Sequence, residues 1–246
     1  MRQRGDERGW ALLDALLEDE TGPGLAELAG AVLGLPERGR YAVAVIPAPV
    51  RIAGNRPGGA HGMRILWRPR PDREIAVVAL GDADPAAVAA LLSDGGPGPG
   101  GVSPVVGGLS ALGTARRLAD AALLTCGPAG EAVVCLDGRV PAALVAGQPA
   151  LAAYLATDVF GPLLARDPAD RALLVSTLDA WLECGGSAGR TAVRLCCHRN
   201  TVLNRLRRLE ELTSRSLSRP RELVELMLAL DAVRLVPGTS SGLSGD

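Results

Sequence analysis

The chain has 246 residues, 48% hydrophobic and 22% charged, which suits one or two globular domains. No apolar run approaches the ~20 residues of a membrane span. The five cysteines (126, 135, 184, 196, 197) form no Cys-x-x-Cys, so neither a disulfide framework nor a zinc knuckle is indicated.

A formal charge of −1 hides an asymmetry. Residues 1–165 hold 14 arginines against 17 acids, whereas residues 188–221 hold 9 against 2. Such a basic block suggests an anionic partner. Every basic side chain is arginine. With so much Ala, Gly and Pro, this reads as the codon bias of a GC-rich genome, not as a functional choice of Arg over Lys.

In chain order, residues 8–20 place Trp10, Leu13, Leu16 and Leu17 at helical spacing. Asp14 interrupts the run, so an amphipathic helix is expected, not a signal peptide, and the chain is expected in the cytoplasm. A second short helix covers about residues 24–34. Stretches 40–50, 63–70 and 74–81 are short, rich in Val and Ile and bounded by Gly and Pro, as strands are. A helix follows from Asp84 and Pro85, a cap and a first-turn proline. Residues 95–101, Gly-Gly-Pro-Gly-Pro-Gly-Gly, predict a loop. Residues 102–108 predict another strand. A helix capped by Ser110 carries apolar residues 111, 112, 115, 118, 119 and 122, and residues 131–138 predict a further strand.

Alternating strands and helices over residues 41–165 argue a small α/β regulatory or dimerisation domain behind an N-terminal helical segment, residues 1–40. Residues 148–165 look helical. From 166 to 236 every segment reads as helix: Leu174, Leu178, Trp181 and Leu182 form one apolar stripe, and Leu223, Leu226, Met227, Leu230 and Val233 another. Residues 237–246 read as a disordered tail. The fold class is therefore α+β, a sheet domain followed by an all-α domain.

Between the two stripes lies Gly-Gly-Ser-Ala-Gly, residues 185–189, which contains the Gly-x-Ser-x-Gly of a hydrolase nucleophile elbow. An elbow needs a strand before the serine, then an acid and a histidine later in the chain. Here the preceding segment is a helical stripe. Of the two histidines, His61 precedes the serine and His198 follows it with no acid between. No catalytic group and no cofactor or metal site is expected. Gly185 and Gly186 instead end one helix, and Ser187 caps the next.

The next helix is short, with Ala188, Ala192 and Leu195 on one side. After a turn at Cys196 and Cys197, a longer helix buries Val202, Leu206 and Leu209 at i, i+4, i+7. Its other side shows Asn200, Asn204, Arg207, Arg208 and Glu211. Polar donors at a helix start, beside free backbone N–H groups, suit phosphates and base edges. The pair predicts a helix-turn-helix with the second helix as reader. Arg190, Arg205 and Arg208 are candidates for phosphates, Asn200 and Thr201 for register on the backbone, and His198, Arg199 and Asn204 for base edges. The alternative is a helical protein-interaction module with no DNA binding. The two cysteines are expected to fill space.

The segment resembles the C-terminal helix-turn-helix of the PucR/CdaR family of bacterial transcriptional regulators. The matching residues are Gly185 and Gly186, Thr191 and Ala192, Leu195, the tetrad His198-Arg199-Asn200-Thr201, Arg205 and Leu206, Leu212 and Thr213, and the helix over 222–236. The family places before it a domain similar in fold to the GGDEF cyclases without their motif. The order of elements over 41–165 agrees, through Ala-Leu-Gly-Thr at 111–114 and Val-Phe-Gly-Pro at 159–162. No Gly-Gly-Asp-Glu-Phe occurs, so no cyclase chemistry is implied. The chain departs from the family at Asn204, usually aromatic, and at Ser214, usually Gly. Longer members carry a separate sensory domain, and the roughly 40 residues before the first strand are expected to hold none. The expected partner is double-stranded DNA; one helix-turn-helix covers only a few base pairs, so a homodimer on a pseudo-palindrome is expected, and an effector, if there is one, is of unknown chemistry.

Overall fold

The computed structural model describes residues 2–235 except 21, 49–57, 60, 61, 95–97 and 128–131, with side chains from residue 7 onward. The disordered-tail expectation, His61 and the first part of the Gly/Pro loop lie outside the described residues. Two compact units form, Met1–Leu144 and Val145–Asp246.

The first unit opens with helices α1 (Arg2–Leu17) and α2 (Leu25–Leu33). Strands β1 (Arg38–Pro47), β2 (Arg64–Pro69) and β3 (Arg73–Ala79) follow, then α3 (Pro85–Asp94). After β4 (Gly100–Val102) and β5 (Val106–Gly108) come α4 (Leu112–Leu123) and β6 (Val133–Cys135). The sheet order is β2-β3-β1-β4-β6, with β5 also on β1. All these pairings are antiparallel except β4 with β6.

Six consecutive residues of β1, Tyr41 to Ile46, are buried because both sheet faces are covered. Tyr41, Val43 and Val45 pack in one cluster with Leu13 and Leu17 of α1 and Leu112 and Ala115 of α4. Ala42, Ala44 and Ile46 pack in another with Val88 and Leu92 of α3. Residues 1–40 are thus not a separate segment: α1 and α2 complete this core. Asp84 caps α3, its Oδ1 accepting from the Ala87 N–H at 2.9 Å.

Two local expectations are corrected. Gly100 and Gly101 are not loop but strand β4. A Cβ on Gly101 would lie 2.1 Å from the Ala119 carbonyl oxygen and 2.5 Å from Leu123 N. The glycine therefore lets α4 lie directly on the strand, a close approach that imitates a loop signal in sequence. Ser110 does not cap α4: it sits inside a 3₁₀ turn, Leu109–Ala111, and the helix begins after Ala111 with no side-chain cap. A short helix that the sequence reading did not propose, α5 (Val140–Ala146), follows β6.

The second unit contains α6 (Pro149–Leu164), α7 (Pro168–Glu183), α8 (Ala188–Arg194), α9 (Arg199–Thr213) and α10 (Pro220–Leu235). Phe160 and Leu163 of α6, Leu174 and Leu178 of α7, Leu209 of α9 and Leu230 of α10 share one core. Helix α6 therefore belongs with the helical unit, and the boundary expected at 165/166 falls at 144/145. Along α10 the buried stripe is Leu226, Ala229, Leu230 and Val233, while Met227 is exposed. Small alanines pack where the larger methionine was expected. No single helix among the described residues is long and apolar enough to cross a membrane.

Candidate nucleic-acid interface

The turn between α7 and α8 explains the serine motif. Gly185 and Gly186 both take positive φ, 59° and 76°, a region L side chains disfavour. Ser187 then caps α8, its Oγ accepting from the Arg190 N–H at 3.4 Å. The serine follows a helix, as a cap does, and not the strand an elbow requires.

Between α8 and α9 the chain reverses at Cys196, whose φ is +50°. Cys196 is exposed and Cys197 half-buried, packed with Ala192, Val202 and Leu206. So Cys197 fills space as expected, while Cys196 makes the turn in solvent. At the far end of α9, Ser214 adopts φ 52° and ψ 32°. The helix ends in the left-handed conformation that the family's usual glycine would adopt more easily.

Helix α9 buries Val202, Leu206, Leu209 and Thr213. His198, Arg199, Asn200, Asn204, Arg207, Arg208 and Glu211 are exposed, and Thr201 and Arg205 are partly covered. His198 is the N-cap residue, but its side chain makes no capping bond. The Thr201 N–H donates to the His198 carbonyl at 2.9 Å, and those of Arg199 and Asn200 keep capacity for an acceptor.

The arginines differ in their commitments. Arg194 pairs with Glu183. Arg208 donates to Asp170 Oδ2 at 2.7 Å, and Arg166 reaches the same oxygen at 2.8 Å. Arg207 Nη1 donates to Asn204 Oδ1 at 3.2 Å. The side chains of Arg190, Arg199 and Arg205 have no hydrogen-bond or ion-pair partner among the described residues. The sequence could not reveal the Arg208–Asp170 pair, whose members are 38 residues apart.

The segment after α9 is held firmly. Glu210 Oε1 accepts from the Leu217 N–H at 2.7 Å and the Ser216 hydroxyl at 3.1 Å. Arg215 bridges Glu225 of α10 at 2.5 Å and Asp158 of α6 at 2.8 Å. Glu222 accepts from the Ser216 N–H, and Arg219 beside it holds its carboxyl below the usual range. These bonds fix the orientation of α9.

Residues 174–232 match the PucR C-terminal helix-turn-helix domain, and residues 18–125 match the GGDEF-like domain. The chain therefore carries a GGDEF-like domain followed by a PucR-type C-terminal helix-turn-helix, the domain pair of a PucR/CdaR-type regulator. An uncharacterized protein of Mycobacterium tuberculosis is 37% identical over 90 residues, 37% of this chain and 21% of that one. The purine catabolism regulatory protein of Bacillus subtilis is 44% identical over 63 residues, 26% of this chain and 12% of that one. The crystal structure of a regulator of polyketide synthase expression from Bifidobacterium adolescentis aligns over 91% of each chain, with a TM-score of 0.41 and 21% identity. The chain spans about a fifth of the length of the mycobacterial relative. The helix-turn-helix match includes α8 and α9, and the GGDEF-like match spans α2 to α4 with strands β1 to β5.

Proposed function

We propose that this PucR-family chain is a sequence-specific DNA-binding transcriptional regulator that works as a homodimer from the cytoplasm. The observation that carries the reading is the set of uncommitted cations on α8 and α9. The side chains of Arg190, Arg199 and Arg205 lack protein partners among the described residues, and the N-cap His198 leaves the first-turn N–H groups without a side-chain cap. Neighbouring Asn200, Thr201, Asn204 and Arg208 add donors and acceptors on the same helix. Cations without acids cost self-repulsion, and a polyanion relieves it. One such helix covers only a few base pairs, which favours a twofold pair on a pseudo-palindrome. The similar Bacillus subtilis protein, named for regulating purine catabolism, supports a regulatory role.

The test is a fluorescence-anisotropy titration against a duplex from upstream of the protein's own gene and against a scrambled duplex, at several salt concentrations. Sedimentation of the complex gives the number of chains bound. A steep salt dependence, tighter binding to the first duplex and two chains per site are expected. If no duplex binds at low salt, the helical interaction module takes over as the reading.

A further inference from the structure

We infer that two rows of α9 divide the contact with DNA: a groove holding Arg199 and Arg207 takes the phosphodiester backbone, and Asn200 and Asn204 on the outer row read base edges. The inference rests on the DNA-binding reading and reverses the base-reading role that the sequence suggested for Arg199.

The helical period sets the rows. Residues 199, 203, 206, 207 and 210 follow the i, i+4, i+7, i+8, i+11 spacing of a single face. That face borders the buried stripe through Leu206, so Arg199 stands at the edge of the packed side and not on the outermost arc. All five residues line one open groove of about 690 Å³. Its other wall has the small residues Gly186, Ser187, Ala188 and Gly189, with Trp181, Leu217 and Ser218 completing the lining. A wall of this kind lets a sugar–phosphate chain lie close.

The groove also has the right charge. Its one acid, Glu210, already accepts from Leu217 N and Ser216 Oγ. Arg199 has no partner among the described residues, and a guanidinium's forked donors match a phosphate. Asn200 and Asn204 lie one row further out and are exposed, turned away from buried Val202, Leu206 and Leu209. Arg207 links the rows: its Nη1 donates to Asn204 Oδ1, which leaves the Asn204 amide nitrogen free for an acceptor on a base.

The experiment compares Arg199→Ala and Asn204→Ala with the wild type, each checked for an unchanged circular dichroism spectrum. The probes are a duplex selected by the wild-type protein from a random-sequence pool and a scrambled duplex of equal length. Arg199→Ala should weaken both duplexes by the same factor, about three- to tenfold, and lower the slope of log affinity against log salt by about one. Asn204→Ala should weaken only the selected duplex, by about ten- to a hundredfold, with the slope unchanged. If Arg199→Ala instead relaxes preference at one base pair and leaves scrambled binding alone, the division of labour is wrong while the DNA reading stands. The division is equally wrong if Asn204→Ala leaves the selected duplex untouched. If the wild-type protein selects and binds nothing, the DNA reading itself fails.

Discussion

The two units differ in how far their arginines are committed to acids. In the sheet unit, arginines close the structure. Arg68 grips Asp14 through two bonds of 2.5 and 2.7 Å and lies 5.6 Å from the Trp10 ring centre. Arg70 reaches Asp14 and Glu18; Arg73 reaches Asp72 and Asp120; Arg116 reaches Glu18, Asp120 and the Leu17 carbonyl. These bonds tie the β2–β3 hairpin and α4 to α1. In the helical unit, acids are scarce around α8 and α9, and the side chains of Arg190, Arg199 and Arg205 are left without protein partners among the described residues. Arginine density therefore says little alone. The local supply of carboxylates decides whether an arginine is structural or offered to a ligand.

The harshest way to break the comparison is to damage the sheet unit alone. Gly101→Ala puts a methyl group 2.1 Å from the Ala119 carbonyl oxygen, where only backbone could give way. It should destabilise that unit by about 3 kcal/mol, read from denaturant unfolding. At a temperature where the variant is still folded, the helical unit should hold duplex DNA with unchanged intrinsic affinity per site. A loss of affinity there would mean that the sheet unit contributes directly to the contact.

A gentler pair of variants sharpens the contrast. Arg68→Ala should cost about 1–2 kcal/mol of stability, because it leaves Asp14 with Arg70 alone and uncovers Trp10. DNA binding should not change. Arg205→Ala should keep stability within about 0.5 kcal/mol while lowering the salt slope of DNA binding by about one. Thermal melts and anisotropy titrations on both variants decide the matter. If the two proteins lose affinity equally, the distinction between structural and offered arginines collapses.

What the sequence made legible follows the same physics. β1, β2 and β3 were readable because their runs are apolar and bounded by turn residues. The α7–α8 turn was readable because two glycines and a serine have few other uses there. Gly100 and Gly101 were misread because a glycine admitting a helix and a glycine making a loop look alike in one dimension. α5 was missed because seven residues carry too little periodic signal. At the candidate interface, the buried stripe of α9 was visible from its spacing. The groove wall at Gly186 to Gly189 and the Arg208–Asp170 pair come from chain reversal, which spacing along one helix does not encode.

The smallest expected effect concerns a carboxylate in the reverse situation, an acid whose arginine is already engaged. Arg234 donates to Asp179 at 2.6 Å, and Asp231 is half-buried beside them. Burial pushes the Asp231 carboxyl above its ordinary value; nearby Asp179 adds to this, and Arg234 opposes it. A raised value means that the folded state favours the proton. The stabilisation is complete below the ordinary carboxylate range and is lost as pH rises through the raised folded value. At neutral pH the folded protein therefore carries a poorly solvated charge. Asp231→Asn removes that charge at nearly the same volume. It should raise stability at neutral pH by less than about 1 kcal/mol, since solvent screens a half-exposed group. Near pH 3 the gain should vanish, because the wild-type carboxyl is then largely protonated in both states. Urea midpoints of the two proteins at both pH values measure the difference, and other acid-labile carboxylates cancel in it. A variant less stable at neutral pH would show that attraction to Arg234 outweighs burial, so that Arg234 serves two acids and its partner Asp179 does not exhaust it.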